Sequence, residues 1–263
     1  PPMFPFNSAP SNRLLIRLMA WLISTLLIIA YFYLLELLDH TLRDRHRTEG
    51  LTKVPVLGCY PKESNLRYRK YNKVISDMAL QHLSRVLQPY LDSDHRNVIN
   101  ILSTNEGNGK SFIANELDDM WTSLGLQVRR LTYDEDFLTD DRRYIMAKTI
   151  EDLCPELQSD EVLIVEYPPM DKHEVPVALL NQGTVNILVS RANRTWKETD
   201  QRILNSVTDV LENTDTLFFY LTEADREAVE EFVGQLPPYT PLKNFVYRIS
   251  QLGLTAVEYT EQK

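Results

Sequence analysis

Val98-Ile-Asn-Ile-Leu-Ser-Thr-Asn-Glu-Gly-Asn-Gly-Lys110-Ser111 is the stretch on which the fold turns. It reads as an apolar strand, a turn carrying Gly107 and Gly109, and a Lys-Ser pair opening a helix. That order suits a phosphate group. Glycines let backbone N–H groups point inward at the anion, and a helix N-terminus adds its dipole. Lys110 is then placed to reach the terminal phosphates and the Ser111 hydroxyl to ligate magnesium. Glu106, Gly107, Asn108, Gly109, Lys110 and Ser111 are therefore the expected nucleotide-binding residues. The pattern departs from GxxxxGK[ST] at one point, since Thr104 stands where the first glycine belongs.

A magnesium nucleotide site also needs a carboxylate at the end of another core strand. Two candidates answer. Glu161-Val-Leu-Ile-Val-Glu166-Tyr-Pro-Pro169 ends four apolar residues in Glu166, while Asp134 stands just past the strand candidate 128–133. Lys110, Asp134 and Glu166 are the expected catalytic set, and Ser111, Asp134 and Glu166 the expected metal ligands. Arg191, after the apolar run 185–190, is placed to approach a nucleotide or to serve as an ordinary surface arginine.

Working outward, apolar strand candidates at 98–102, 128–133, 162–165, 185–190 and 216–221 alternate with helical segments at 111–124, 137–153, 175–181 and 197–212. Alternation of this kind predicts an α/β fold, a mostly parallel P-loop NTPase-like sheet with helices on both faces. Helical spacing also marks 75–91, and Val54-Pro-Val-Leu-Gly58 is a short apolar segment with a proline near its start.

Residues 18–38 are almost wholly apolar and long enough to cross roughly 30 Å of hydrocarbon as a helix. Glu36, the one ionisable residue inside, lies in the last turns, where it can reach the interface. Arg43, Arg45, Arg47 and Lys53 follow this run, and only Arg13 and Arg17 precede it. The positive-inside rule then puts the C-terminal side in the cytoplasm. The expected organisation is a proline-rich extracytoplasmic segment at 1–12, a transmembrane helix at 13–40, a basic juxtamembrane linker and helix at 41–96, and a cytoplasmic P-loop domain at 97–263. Nine basic residues face three acidic ones between 43 and 73, a stretch that reads either as a surface for anionic headgroups or as a solvated helical face. The opening Pro1-Pro2, without an initiator methionine, reads as a processed or excised piece of something longer.

Composition closes other routes. A formal charge of -9 argues against a general nucleic-acid partner. Cys59 and Cys154, the two cysteines, have no zinc-ligand spacing and suit a reducing compartment.

This order of parts resembles the chain-length determinant, or polysaccharide co-polymerase, proteins whose cytoplasmic domains are bacterial tyrosine kinases. The resemblance runs from the proline-rich approach through Leu38-Asp-His-Thr-Leu-Arg-Asp-Arg and the Val54–Gly58 segment to Arg191. The family's S-x-x-x-G-E-G-K-S loop falls on 103–111, with Asn108 replacing its acidic residue. Its paired aspartates fall on Thr132 and Asp134, so the first is replaced, and its Asp-Thr-Pro-Pro falls on Glu166-Tyr167-Pro168-Pro169. The family's Glu/Arg subunit-contact helix is not reproduced near Met78, Gln81 and Ser84, nor is its tyrosine-rich tail, Tyr259 being the tyrosine near the end. The resemblance implies ATP or ADP with Mg2+, inner-membrane lipids, a homo-oligomer and the polysaccharide polymerase and export machinery as partners, in the bacterial inner membrane. It leaves three readings: a regulator with weakened phosphoryl transfer, an active tyrosine autokinase, and a partitioning-type ATPase.

Overall fold

A computed structural model describes residues 13–63, 69–92, 96–155 and 161–238, so the expected proline-rich segment and Tyr259 lie outside the described residues. The chain divides into two compact units, 1–40 and 41–263. The first holds α1 (Arg13–Leu38), whose stretch Arg13–Leu35 is long and apolar enough to cross a membrane. Leu14, Trp21, Leu27 and Phe32 are all more than half exposed along it. A helix that shows apolar side chains all round has no core of its own to bury them in.

In the second unit a six-stranded, all-parallel sheet is formed by β1 (Val56–Pro61), β2 (Asn97–Leu102), β3 (Val128–Thr132), β4 (Val162–Glu166), β5 (Val185–Arg191) and β6 (Leu217–Ala224). Their order across the sheet is β1-β6-β5-β2-β4-β3. The α/β class read from the alternating pattern is what the structure has. Interleaved are α2 (Arg45–Thr52), α3 (Asn72–Leu87), α4 (Lys110–Ser123), α5 (Arg142–Ile145), α6 (Val177–Gln182), α7 (Glu198–Val210) and α8 (Arg226–Val233).

Side-chain alternation along each strand divides the core in two. Ile99, Ile101, Ile164 and Ile187 pack with Ile113, Leu117 and Trp121 of α4 and with Leu83 and Leu87 of α3. Leu102, Leu131, Leu163, Val165 and Leu188 face the other way, toward Leu179, Leu204 and Val229 of α6, α7 and α8. Burial of β2 and β4 on both faces explains why their sequences are continuous apolar runs rather than alternating ones. A buried amide pair interrupts this core: Asn100 donates to the side chain of Asn186 at 2.8 Å and to the carbonyl of Leu179 at 3.2 Å. Gly183 is required beside it, because a Cβ there would collide with the Asn100 amide nitrogen.

Two elements differ from the sequence expectation. The helix expected over 137–153 is broken into the four-residue α5 and a 3-10 turn at Ile150–Asp152. Local capping defeats the helical periodicity there: the Asp141 side chain accepts from Arg143 N, and Asp152 accepts from the backbone of Lys148 and Thr149. Within 41–96, Val56, Leu57 and Gly58 of the Val54–Gly58 run lie in β1, paired in parallel with β6, and α3 packs against that strand. Thr48 and Leu42 are fully buried, so this unit draws its core from residue 42 onward.

Candidate functional site

Strand order positions the site. From β2 the chain crosses to β3 and returns to β4 on one side, then passes to β5 on the other. Ligands of parallel sheets bind outside the carboxyl ends of the strands at such a switch point. Loop 103–109 leaves β2 at this place and delivers Lys110 as the first residue of α4.

The loop is shaped by its two glycines. Gly107 has φ +73° and Gly109 φ +86°, in the left-handed region that side chains disfavour. Gly109 is the N-cap of α4 and has no side chain to satisfy the first helical N–H groups, which leaves them for an anion. Thr222, near the end of β6, presses on this turn: it donates to Asn108 O at 2.7 Å, and a Cβ on Gly109 would lie 3.2 Å from its Cγ2. Ser103 and Asn108 brace the loop from within by donating to Asn105 O at 2.9 and 3.1 Å.

The structure brings Lys110, Ser111 and Glu166 together. Glu166 is fully buried at the end of β4, accepts a hydrogen bond from the Ser111 hydroxyl, and stands 3.4 Å from the Lys110 ammonium. Lys110 itself is 6% exposed, with its ammonium 4.1 Å from the centre of the Tyr133 ring. Burial pulls the Lys110 ammonium below the usual lysine range, and Glu166 opposes that pull. Tyr133 is shifted upward by burial and by the Glu166 and Asp134 carboxylates.

The other expected residues have different places. Asp134 is exposed just past β3 in a left-handed conformation, φ +66°, and acts on Lys110 only as a nearby negative charge. Glu106 turns away to bond Lys172 at 2.6 Å, a contact that lowers its pKa and raises that of the lysine. Asn108 contributes its backbone and an internal bond rather than a free side chain. Arg191 is exposed, 3.5 Å from Glu223, with one guanidinium nitrogen 3.8 Å from where a Gly107 Cβ would stand. Tyr133, Thr222 and Lys172 were not singled out from the sequence. All three follow or close strands at the carboxyl edge, so strand ends read together, rather than motif by motif, could have found them.

The donor set fits a magnesium ion carried by a nucleotide. Glu166 Oε2 is buried with no hydrogen-bond partner among the described residues, next to the Ser111 hydroxyl. Magnesium is held through one or two carboxylates plus phosphate oxygens and water, which matches one carboxylate and one hydroxyl. No group of three or more His, Cys, Asp or Glu side chains able to hold a metal occurs among the described residues.

No protein-family model matches the chain, and no curated protein matches it. Among solved structures it is similar to the kinase domain of Escherichia coli tyrosine kinase ETK, at 11% identity and TM-score 0.49, covering 76% of this chain and 96% of that one. It is similar also to the chimerical protein CapA2B2, at 15% identity and TM-score 0.46 over 69% of this chain and 100% of that one. A third is the BceF tyrosine kinase domain, at 14% identity and TM-score 0.45 over 68% and 98%.

Proposed function

We propose that this chain is the membrane-anchored cytoplasmic P-loop part of an exopolysaccharide or capsule chain-length regulator, binding ATP or ADP with Mg2+ and transferring phosphate weakly or not at all. The observation that carries nucleotide binding is the cluster of Lys110, Ser111 and Glu166 behind a glycine turn at the carboxyl edge of β2 and β4. Lys110 would turn from Glu166 to the phosphates, Ser111 and Glu166 would hold the ion, and the open N–H groups of α4 would receive phosphate oxygens. Magnesium, when bound with the nucleotide, supplies charge neutralisation at the phosphates.

Weakened transfer is supported by the residues around that cluster. A threonine, Thr132, stands at the end of β3 where the resembled family has an aspartate, and Asp134 points into solvent territory as an exposed residue. Phosphoryl transfer depends on positioning and charge at the phosphates, and one organising carboxylate fewer lowers it more than it lowers binding. The regulator role, the homo-oligomer, the lipid contact and the export machinery as partner rest on the sequence resemblance. The apolar α1 supports the anchor.

An active tyrosine autokinase is the second reading, favoured by the negative charge of Asp134 near Lys110. Titration of the purified chain with magnesium nucleotide, together with a radiolabelled ATP assay, separates the two. The expected outcome is saturable binding that is lost in Lys110→Met, with no Lys110-dependent phosphotyrosine. Phosphotyrosine that disappears in Lys110→Met would instead establish the autokinase.

A further inference from the structure

Thr132 and Glu166 are the last residues of β3 and β4, and they are direct partners in the parallel register of the two strands. Residues so paired point to one face of a sheet, with their backbones about 4.8 Å apart. That face is identified by its neighbours: Val128, Val162 and Ile164, which alternate with Leu131 and Val165, pack with the α4 side chains Ile113 and Leu117. Thr132 therefore projects on the α4 face beside Glu166, toward the helix that presents Lys110 and Ser111.

The two side chains share a second property. Thr132 Oγ1 and Glu166 Oε2 are both buried, and neither meets a hydrogen-bond partner among the described residues. A hydroxyl or carboxylate oxygen withdrawn from water and left unpaired is costly, so such atoms in a native site point to a ligand or ordered water. The second Glu166 oxygen, Oε1, is already engaged by Ser111 and Lys110. What remains is one negative and one neutral acceptor on adjacent strand ends. That pair of acceptors suits the O–H groups of water around a magnesium ion, which keeps several waters when it is bound through one carboxylate and phosphates.

We propose that Thr132 is a positioning residue for hydrated magnesium: its hydroxyl and Glu166 Oε2 would together hold water molecules of the nucleotide-borne ion, while Ser111, Glu166 Oε1 and the phosphates would hold the ion itself. This inference rests on the nucleotide-binding reading of the same site. Such outer-sphere hydrogen bonds orient a metal's ligands and change its affinity when removed. Thr132 thereby lets the site keep a dependence on magnesium with one carboxylate fewer.

The test is a nucleotide titration of the full 263-residue chain in detergent, with ADP as probe, run in magnesium and in EDTA for the wild type, Thr132→Val and Thr132→Ser. Valine keeps the branched shape and removes the hydroxyl; serine keeps the hydroxyl. The expected result is that the gain in ADP affinity given by magnesium falls about tenfold or more in Thr132→Val. Thr132→Ser restores most of it, and thermal melting shows both variants folded. An unchanged magnesium gain in folded Thr132→Val, with ADP still bound, overturns the inference alone. An equal loss of affinity in magnesium and EDTA also overturns it, since that is the mark of a general structural role. Failure of the folded wild-type chain to bind ADP under either condition overturns the nucleotide-binding reading and this inference with it.

Discussion

Gly109 joins three requirements in one residue: a φ of +86°, the N-cap of α4, and a space beside Thr222 too tight for a Cβ. Alanine at this position meets the conformational penalty of the left-handed region and a Cβ contact of 3.2 Å at once. Gly109→Ala is expected to lower stability by about 1–2 kcal/mol, measured as a shift in urea midpoint without a change in slope. It should also weaken nucleotide binding, because the turn that aims the N–H groups of α4 is displaced. Lys110, Ser111 and Glu166 were legible from sequence because each sits where an apolar strand stops or a helix starts, and strand and helix ends are readable. Tyr133 was not, since its role comes from the approach of its ring to the Lys110 ammonium across two elements, which no spacing encodes. Asp134 was legible as a carboxylate after a strand, but its backbone turns left-handed and leaves the side chain exposed.

At the level of elements, strands were easier to read than the helices between them. Strands β2, β4 and β5 are buried along nearly their whole length, so their apolar runs leave little choice of structure. The segment 137–153 has helical spacing too, yet Asp141 and Asp152 offer the backbone side-chain partners that stop a helix before it extends. β1 is a strand by pairing rather than by pattern: Pro55 O accepts from Phe219 N at 2.8 Å, and the strand's partner lies far along the chain in β6. The Asp152 carboxyl is held below the usual aspartate range by the N–H groups of Lys148 and Thr149. A depressed carboxyl adds stability above its unfolded pKa of about 3.9 and loses it as pH falls through the lower folded value. Acidification below about pH 4, or Asp152→Ala at neutral pH, is therefore expected to speed amide exchange at Lys148 and Thr149, as read by NMR.

For the molecule as a whole, the two units call for different solvents. Residues 41–263 form one compact unit with a core of its own, while α1 carries exposed apolar side chains that no described residue of its unit covers. Expressed in bacteria, the full chain is expected to stay with membranes through an alkaline wash, and a chain beginning at Thr41 to appear in the soluble fraction. Fractionation followed by immunoblotting checks both; a full chain released by the wash would remove the anchor from the proposal. The position of β1 bears on how such a chain is made. Among the described residues β1 pairs with β6 and no other strand, and β6 begins about 155 residues after β1 ends. At ~5–20 residues per second, the ribosome leaves the Val56–Pro61 segment without its partner for about ten to thirty seconds. During that interval the strand stands unpaired behind the polar α2, and whatever keeps nascent chains from pairing with one another must act on it until β6 is released.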